Sequence, residues 1–339
     1  QTSTRAMLKE VVEVVFNNID SNTDITVDFG DGTVKEGKAA TPITHAYTQS
    51  GDYTMLVTAG ERVVQKRIRI YDLLALTEAM KQFRDADNKM VWAMTHRSHT
   101  TDKTIPENSV SAVEAAINAG ADVIECDTHL TSDGVVMVCH DQTINATTNG
   151  TGDITKMTYA EIQQYNLLDR NGRVTDEKMP TLEEYLTAVR GRAYVDIDKC
   201  TGQGIFGKVA DVVCRTGMME AVFFYSGVEE GTREVLGVVE DANVYPWVGG
   251  HKLLEGLPRT FFVQTSYATE GRSPSLGDSV ELGMIPSVCL LWVLDQAIPE
   301  YALDDRQLDE LFDIFPTVRM IQTDVPAELI AALEKKGLR

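Results

Sequence analysis

From Met90 to the C-terminus, short apolar runs alternate with longer stretches of helical character, and no other feature of the sequence restricts its fold as tightly. Such alternation builds a parallel sheet with helices packed on it. The strand candidates are 90–95, 121–127, 135–139, 193–198, 221–225, 243–246, 261–264, 288–293 and 318–322. The run holding Ala121, Val123 and Ile124 is dense in apolar residues, as a strand buried on both faces requires. The link from Asp127 to Val135 is too short to hold a helix. Glycine closes one helix at Asn118-Ala119-Gly120, and Thr158/Glu161 and Thr181/Glu184 have the spacing of capping boxes.

Residues 1–72 have a different pattern. A segment of amphipathic character, Met7 to Phe16, is followed by the alternating strand Ile25–Phe29 and an Asp-Gly turn at Asp31-Gly32. Two more alternating strands follow, Thr54–Ala59 and Arg62–Ile70. The string Asp28-Phe29-Gly30-Asp31-Gly32-Thr33, with His45-Ala46-Tyr47 and Gly51-Asp52-Tyr53 after it, resembles PKD-type immunoglobulin-like sandwiches. That resemblance implies an extracytoplasmic accessory module without chemistry of its own. Tyr47 and Tyr53 are expected in its core or corner, and His45 is expected to be structural. Residues 73–88 are expected to be a helix joining the two domains, with Leu73, Leu74, Leu76 and Met80 on one side.

A chain of 339 residues exceeds the usual single domain, so two domains are expected, 1–72 and 73–339. The net charge of −20 argues against nucleic acid or an anionic membrane surface as a partner. An anionic substrate gains nothing from that overall field, so local cations and a bound metal must hold it. No apolar run reaches the roughly 18 residues of a transmembrane helix, so no integral membrane segment is expected. Gln1-Thr2 suits a mature terminus after signal-peptide removal, or simply a trimmed one; the first reading leads to an expected location in the periplasm or outside the cell. Cys126, Cys139, Cys200, Cys214 and Cys289 have no CxxC spacing and read as buried thiols, with a bridge between Cys126 and Cys139 left open.

Chemistry-bearing residues gather between 95 and 141. They are His96 and Arg97, Glu107, the pair Glu125 and Asp127, and His140. Glu125 and Asp127 are two apart on a strand, so both leave the same face. Two carboxylates converging in a buried place repel each other unless a divalent cation holds them. Oxygen ligands suit Mg²⁺ or Ca²⁺, and two histidines are then available as acid and base.

Several ordered strings resemble the glycerophosphodiester phosphodiesterase family: His96-Arg97-Ser98, Pro106-Glu107-Asn108-Ser109, Gly120 to Asp127, and Thr131 to Asp141. Pro180 to Glu184, Trp292 to Asp295 and Thr323-Asp324-Val325-Pro326 extend the likeness across 91–339. The resemblance implies a (β/α)8 TIM-type barrel, which uses eight of the nine strand candidates; 243–246 or 261–264 is expected to be the surplus one. His96-Arg97, Glu125/Asp127 and His140 then stand at the ends of the first three strands, where barrel enzymes place their chemistry. The family's Glu-x-Lys at the fourth strand end aligns with Asp198 as third metal ligand, with Asp196 as competitor and Lys199 as a phosphate contact. Ser98 stands where the family has glycine, a strained exchange if the backbone there has positive φ. Asn108 is expected to cap a helix, Glu107 to brace Arg97 or the metal's surroundings, and Trp292 to wall the substrate alcohol.

The implied activity is metal-dependent hydrolysis of small glycerophosphodiesters to glycerol 3-phosphate and an alcohol, within lipid and glycerol metabolism. Two other readings stay open: a phospholipase-D-like or phosphoinositide-like lyase giving cyclic phosphates, and a catalytically weakened protein that binds a surface or glycan through its N-terminal domain.

Overall fold

The computed structural model describes residues 4–7, 11–49, 51–71, 73–85, 87–198, 204–227, 229–247, 262–266, 280–291 and 305–339. The chain divides into two compact units, Gln1–Leu73 and Leu74–Arg339.

Among its described residues the first unit is all β. Its strands are β1 (Thr4–Met7), β2 (Val11–Val14), β3 (Asp24–Asp28), β4 (Val34–Lys38), β5 (Ile43–Ala46), β6 (Gly51–Ala59) and β7 (Arg62–Tyr71). They form a sheet ordered β1-β7-β6-β3-β4 and a ribbon β2-β5. The segment expected to be amphipathic, Met7 to Phe16, supplies strand residues, with Val12 buried and its neighbours Val11 and Glu13 exposed. Period-two burial is a strand signal, and pairing with β5 satisfies its backbone. Ile25, Val27, Phe29, Tyr47 and Ile68 fill the core. The Tyr47 hydroxyl donates to the Phe29 carbonyl at 2.9 Å, tying the loop after β5 to the end of β3. His45 bonds Asp31 of the turn at 2.7 Å, as a structural histidine does. Gly30 has φ +79°, and a Cβ there would sit 2.5 Å from the Thr54 carbonyl, so only glycine fits this crossing of strands.

The second unit begins with α1 (Leu76–Phe83), shorter than the 73–88 expected. Eight parallel strands follow: β8 (Trp92–Thr95), β9 (Val123–Leu130), β11 (Tyr194–Asp198), β12 (Val222–Gly227), β13 (Val244–Pro246), β14 (Phe262–Ser266), β15 (Ile285–Cys289) and β16 (Met320–Thr323). β16 pairs with β8, and a parallel bridge from Trp247 to Gln264 joins β13 to β14, so the sheet closes into a (β/α)8 barrel. Around it stand α2 (Val110–Asn118), α3 (Tyr159–Ile162), α4 (Leu182–Val189), α5 (Ile205–Arg215), α6 (Glu229–Val238), α7 (Asp305–Ile314) and α8 (Pro326–Lys335). Both expected capping boxes form, on α3 and α4, and Gly120 takes φ +93° just past α2.

The surplus strand is neither 243–246 nor 261–264, since both enter the barrel. It is β10 (Val136–Val138), which pairs antiparallel with the far end of β9, Val136 opposite Leu130. A link of this length turns the chain back on itself, because a parallel return needs a crossover. The eighth candidate lies earlier than expected, at Ile285–Cys289 rather than 288–293. Cys126 and Cys139 are not bridged and are buried in different core clusters, and Cys214 is an exposed thiol near the end of α5. Cys200 lies outside the described residues.

Aromatic side chains plug the N-terminal mouth of the barrel. Trp92 and Tyr194 open β8 and β11 and stack 4.7 Å apart. Phe83, in the last turn of α1, meets Trp92 edge-on at 4.8 Å and Phe262 at 5.8 Å. Phe83→Ala should therefore lower barrel stability by about 3–5 kcal/mol, the usual loss for a buried aromatic. Denaturant melts of the two proteins check this, and a loss under about 1 kcal/mol would show α1 to be dispensable.

Candidate active site

Alternation along β9 and β11 sorts their side chains between the helices and the barrel interior. Ile124, Cys126, Val195 and Ile197 join the apolar cluster under the helices. Glu125, Asp127, Asp196 and Asp198 are left facing inward, with Asp196 opposite Glu125 and Asp198 opposite Asp127. Glu125, Asp127 and Asp198 each place a carboxylate oxygen within 4.8 Å of the others. Asp196 lies one step deeper and 1% exposed, and its Oδ1 has no hydrogen-bond partner.

Four acids in one dry place cannot all ionise. Burial, then the charges of Asp127, Asp198 and Asp196, push Glu125 well above the carboxylate range. Burial and the charges of Asp198 and Asp127 do the same to Asp196. A divalent cation among Glu125, Asp127 and Asp198 would offset that repulsion, and the all-oxygen donor set fits a hard ion.

The chain leaving β8 wraps around this cluster. His96–Ser98 form a single 3-10 turn in which Arg97 and Ser98 both have positive φ, +48° and +57°. Such conformations cost a non-glycine residue of order 1 kcal/mol each and persist where surrounding contacts fix them. Here the Arg97 amide donates to Glu125 Oε2 at 2.6 Å, and Ser98 shares a short hydrogen bond with the buried Tyr185 hydroxyl. The side chain that replaces glycine is thus strained and anchored at once. The Arg97 guanidinium reaches Glu107 at 3.3 Å, with Nε 3.9 Å from Asp127. Arg97 and Glu107 thus form an ion pair. Burial favours the neutral form of Glu107, but the His99 hydrogen bond and the Arg97 charge outweigh burial and hold its carboxyl at about 2.

Asn108 does not cap α2. Ser109 does, accepting from the Ala112 amide at 3.0 Å. Asn108 instead takes φ +52° and donates to Asp127 Oδ2 at 3.0 Å. Its backbone bond to the Arg97 carbonyl turns it one position inward, so the cap shifts to the next hydroxyl.

His96 bonds Asp324 Oδ1 through Nδ1 at 2.9 Å, and His99 reaches the same oxygen at 2.6 Å. Burial would raise Asp324, yet these two hydrogen bonds keep it well below the usual carboxylate range. Burial lowers His96, with help from the Arg97 and His99 charges, against the pull of Asp324. His140 follows β10 rather than a barrel strand, which corrects its expected placement. The Cys139 amide bonds the Asp127 carbonyl at 2.9 Å, so His140 still hangs one residue from the acidic cluster. Its Nδ1 meets Asp141 at 2.7 Å, and His129 donates to its carbonyl. Lys199 and Trp292 lie outside the described residues.

Carboxylates, a guanidinium and imidazoles gathered at one barrel mouth can hold a cation and an anionic group together. Residues 96–208 match the Glycerophosphoryl diester phosphodiesterase family. Residues 1–64 match the PKD domain. A solved Glycerophosphoryl diester phosphodiesterase from Parabacteroides distasonis shares the barrel fold, with TM-score 0.65 and 20% identity over 78% of this chain and 94% of its own. The glycerophosphodiester phosphodiesterase structure from Agrobacterium tumefaciens is 27% identical, with TM-score 0.57 over 71% of this chain and all of its own. The Glycerophosphodiester phosphodiesterase of Caldanaerobacter subterraneus is 36% identical over 94 residues, 27% of this chain and 39% of that protein. The chain spans about two fifths of the length of the curated relatives it matches.

Sequence reasoning named Asp324 only as part of a string and gave His99 and Tyr185 no role. The strand-end rule that found His96 would have found Asp324, which directly follows β16.

The raised carboxyls set a pH dependence. Glu125 and Asp196 have folded values above their unfolded ones, so their contribution to stability is present below about pH 4, the unfolded range. It is lost as pH rises through the raised values. Glu107 and Asp324 act oppositely, and their contribution disappears only as pH falls from the ordinary carboxylate range toward 2. Metal-free protein should therefore lose thermal stability as pH rises above the ordinary carboxylate range of about 4. Asp196→Asn should flatten that slope and raise Tm at pH 8 by about 2–4 °C, the shift that about 1 kcal/mol gives a domain of this size. Calorimetry across pH measures both, and a metal-free Tm that ignores pH or falls in the variant contradicts the account.

Proposed function

We propose that the barrel hydrolyses glycerophosphodiesters to glycerol 3-phosphate and an alcohol. The observation that carries this is the convergence of three carboxylates, the Arg97 guanidinium and the His96–Asp324 pair at the C-terminal ends of neighbouring strands. The family match over 96–208 supports it, and one structural neighbour, from Oleispira antarctica, is described in complex with sn-glycerol-3-phosphate.

Glu125, Asp127 and Asp198 would hold one divalent cation, Mg²⁺ or Ca²⁺, whose charge draws electron density from the phosphorus when bound. Arg97 binds a non-bridging oxygen, while Glu107 and Asp127 fix its orientation. Asp324 holds the proton of His96 on Nδ1 and leaves Nε2 to exchange protons with the reacting oxygens. His140, held by Asp141, is the second proton-transfer group. One ring accepts the proton of the attacking hydroxyl and the other protonates the departing alkoxide. The PKD-type unit is proposed as an extracytoplasmic accessory module that contacts a surface or glycan.

Hydrolysis of glycerophosphocholine should cease in EDTA and return with Mg²⁺ or Ca²⁺, and full turnover in excess chelator sinks the metal assignment. His96→Ala and His140→Ala should each lower kcat about 10²–10⁴-fold with metal affinity retained. Asp198→Asn should weaken metal binding in calorimetric titration far more than Asp196→Asn. The reverse order would move the third ligand two residues down β11.

The segment 74–339 should fold and keep its turnover, because every residue named above follows Leu73. A loss beyond about tenfold, roughly 1.4 kcal/mol of barrier, would give the PKD-type unit a part in catalysis.

A further inference from the structure

Two carboxylates grip the ring of His99, one at each nitrogen. Nδ1 lies 2.6 Å from Asp324 Oδ1, and Nε2 lies 3.3 Å from Glu107 Oε2. An ionised carboxylate only accepts hydrogen bonds, so each contact requires a proton on the nitrogen that faces it. A ring with both nitrogens protonated is an imidazolium. His96 meets the same Asp324 oxygen through its own Nδ1, with the two rings edge to face at 5.4 Å. One carboxylate oxygen is thus shared by two histidines, of which His99 also reaches a second carboxylate, Glu107, whose other oxygen bonds Arg97.

We propose that His99 is a buried imidazolium, protonated throughout the neutral range, that offsets the charge of Asp324 and thereby keeps His96 neutral, with Nδ1 protonated and Nε2 free, as the general base. This rests on the hydrolase reading above. An unshared Asp324 beside His96 would form an ion pair with it and hold a proton on both its nitrogens, which disables a base. With His99 in place, Asp324 orients the His96 ring without charging it.

The charged neighbours agree. His96 faces Asp324 and Glu107 as well as Arg97 and His99, two anions against two cations. His99 faces Asp324, Glu107, Arg170 and the His96 ring, and it is raised although burial alone would lower it. In the reaction, His96 Nε2 takes the proton of the attacking hydroxyl as its oxygen bonds to phosphorus. The bond from phosphorus to the alcohol oxygen then breaks, and His140 returns a proton to that oxygen. His99 touches none of these atoms and is a positioning residue.

The test uses His99→Gln and His99→Lys in the full chain. The acidic limb of kcat/KM for glycerophosphocholine should move up by about one pH unit in His99→Gln, a tenfold rise in the proton affinity of His96. His99→Lys restores a cation and should return the limb toward its original position. In ¹⁵N-histidine NMR of the metal-free protein, His96 should titrate about one unit higher in His99→Gln. Wild-type His99 should keep both nitrogens protonated from pH 6 to 8, a readout that stands even if the variants fail to fold. An unmoved limb with an unmoved His96 titration overturns the proposal, as does a wild-type His99 that loses a proton in that range. Absence of turnover on every glycerophosphodiester would instead defeat the hydrolase reading, and the NMR titrations would still decide the state of His99.

Discussion

Repulsion among Glu125, Asp127, Asp196 and Asp198 organises the upper half of the barrel. Parallel pairing of β9 with β11 puts these acids side by side, two from each strand. An apolar interior would give a more stable barrel, since desolvated like charges cost several kcal/mol. What surrounds them reads as compensation. The Arg97 amide and the Asn108 side chain donate to the two β9 carboxylates, Glu125 and Asp127. Both donors have left-handed backbone, so the loop is bent against its preference to reach the acids.

Much of this was legible from residue spacing. The i, i+2 carboxylates of β9 and β11 fix their common face by strand periodicity alone, and the capping boxes at Thr158 and Thr181 form as read. The hairpin was legible too, in the short link after Asp127, but nine strand candidates invited the wrong one to be set aside. A barrel strand and a hairpin strand have the same apolar composition, and only the length of the connection separates them. The hydrogen-bonding partner of His96 could not be read locally. Asp324 stands 228 residues away, and only closure of the ring makes β16 the neighbour of β8. Asn108 was misread because an Asn before a helix caps it by default, and nothing local to the sequence tells that a carboxylate waits across the barrel mouth.

The two proposed proton-transfer groups also differ in how they are mounted. His96 stands on a strained turn fixed by contacts to β9, α4 and the end of β16. His140 stands on a hairpin that continues β9 itself, so it and Asp127 belong to one continuous piece of backbone. Changes elsewhere around the barrel can reshape its mouth without separating those two.

The bond between His96 and Asp324 joins the first barrel strand to the last. During synthesis β8, β9, β10 and β11 all emerge well before Asp324, bringing the acidic cluster and both histidines out of the ribosome without the group that orients one of them. The carboxylate that Asp324 brings arrives only with the final strand, whose pairing with β8 also seals the ring. Emergence of β16, closure of the barrel and alignment of the His96 ring are therefore a single event, and a polypeptide not yet extended past Asp324 carries the parts of the site unassembled.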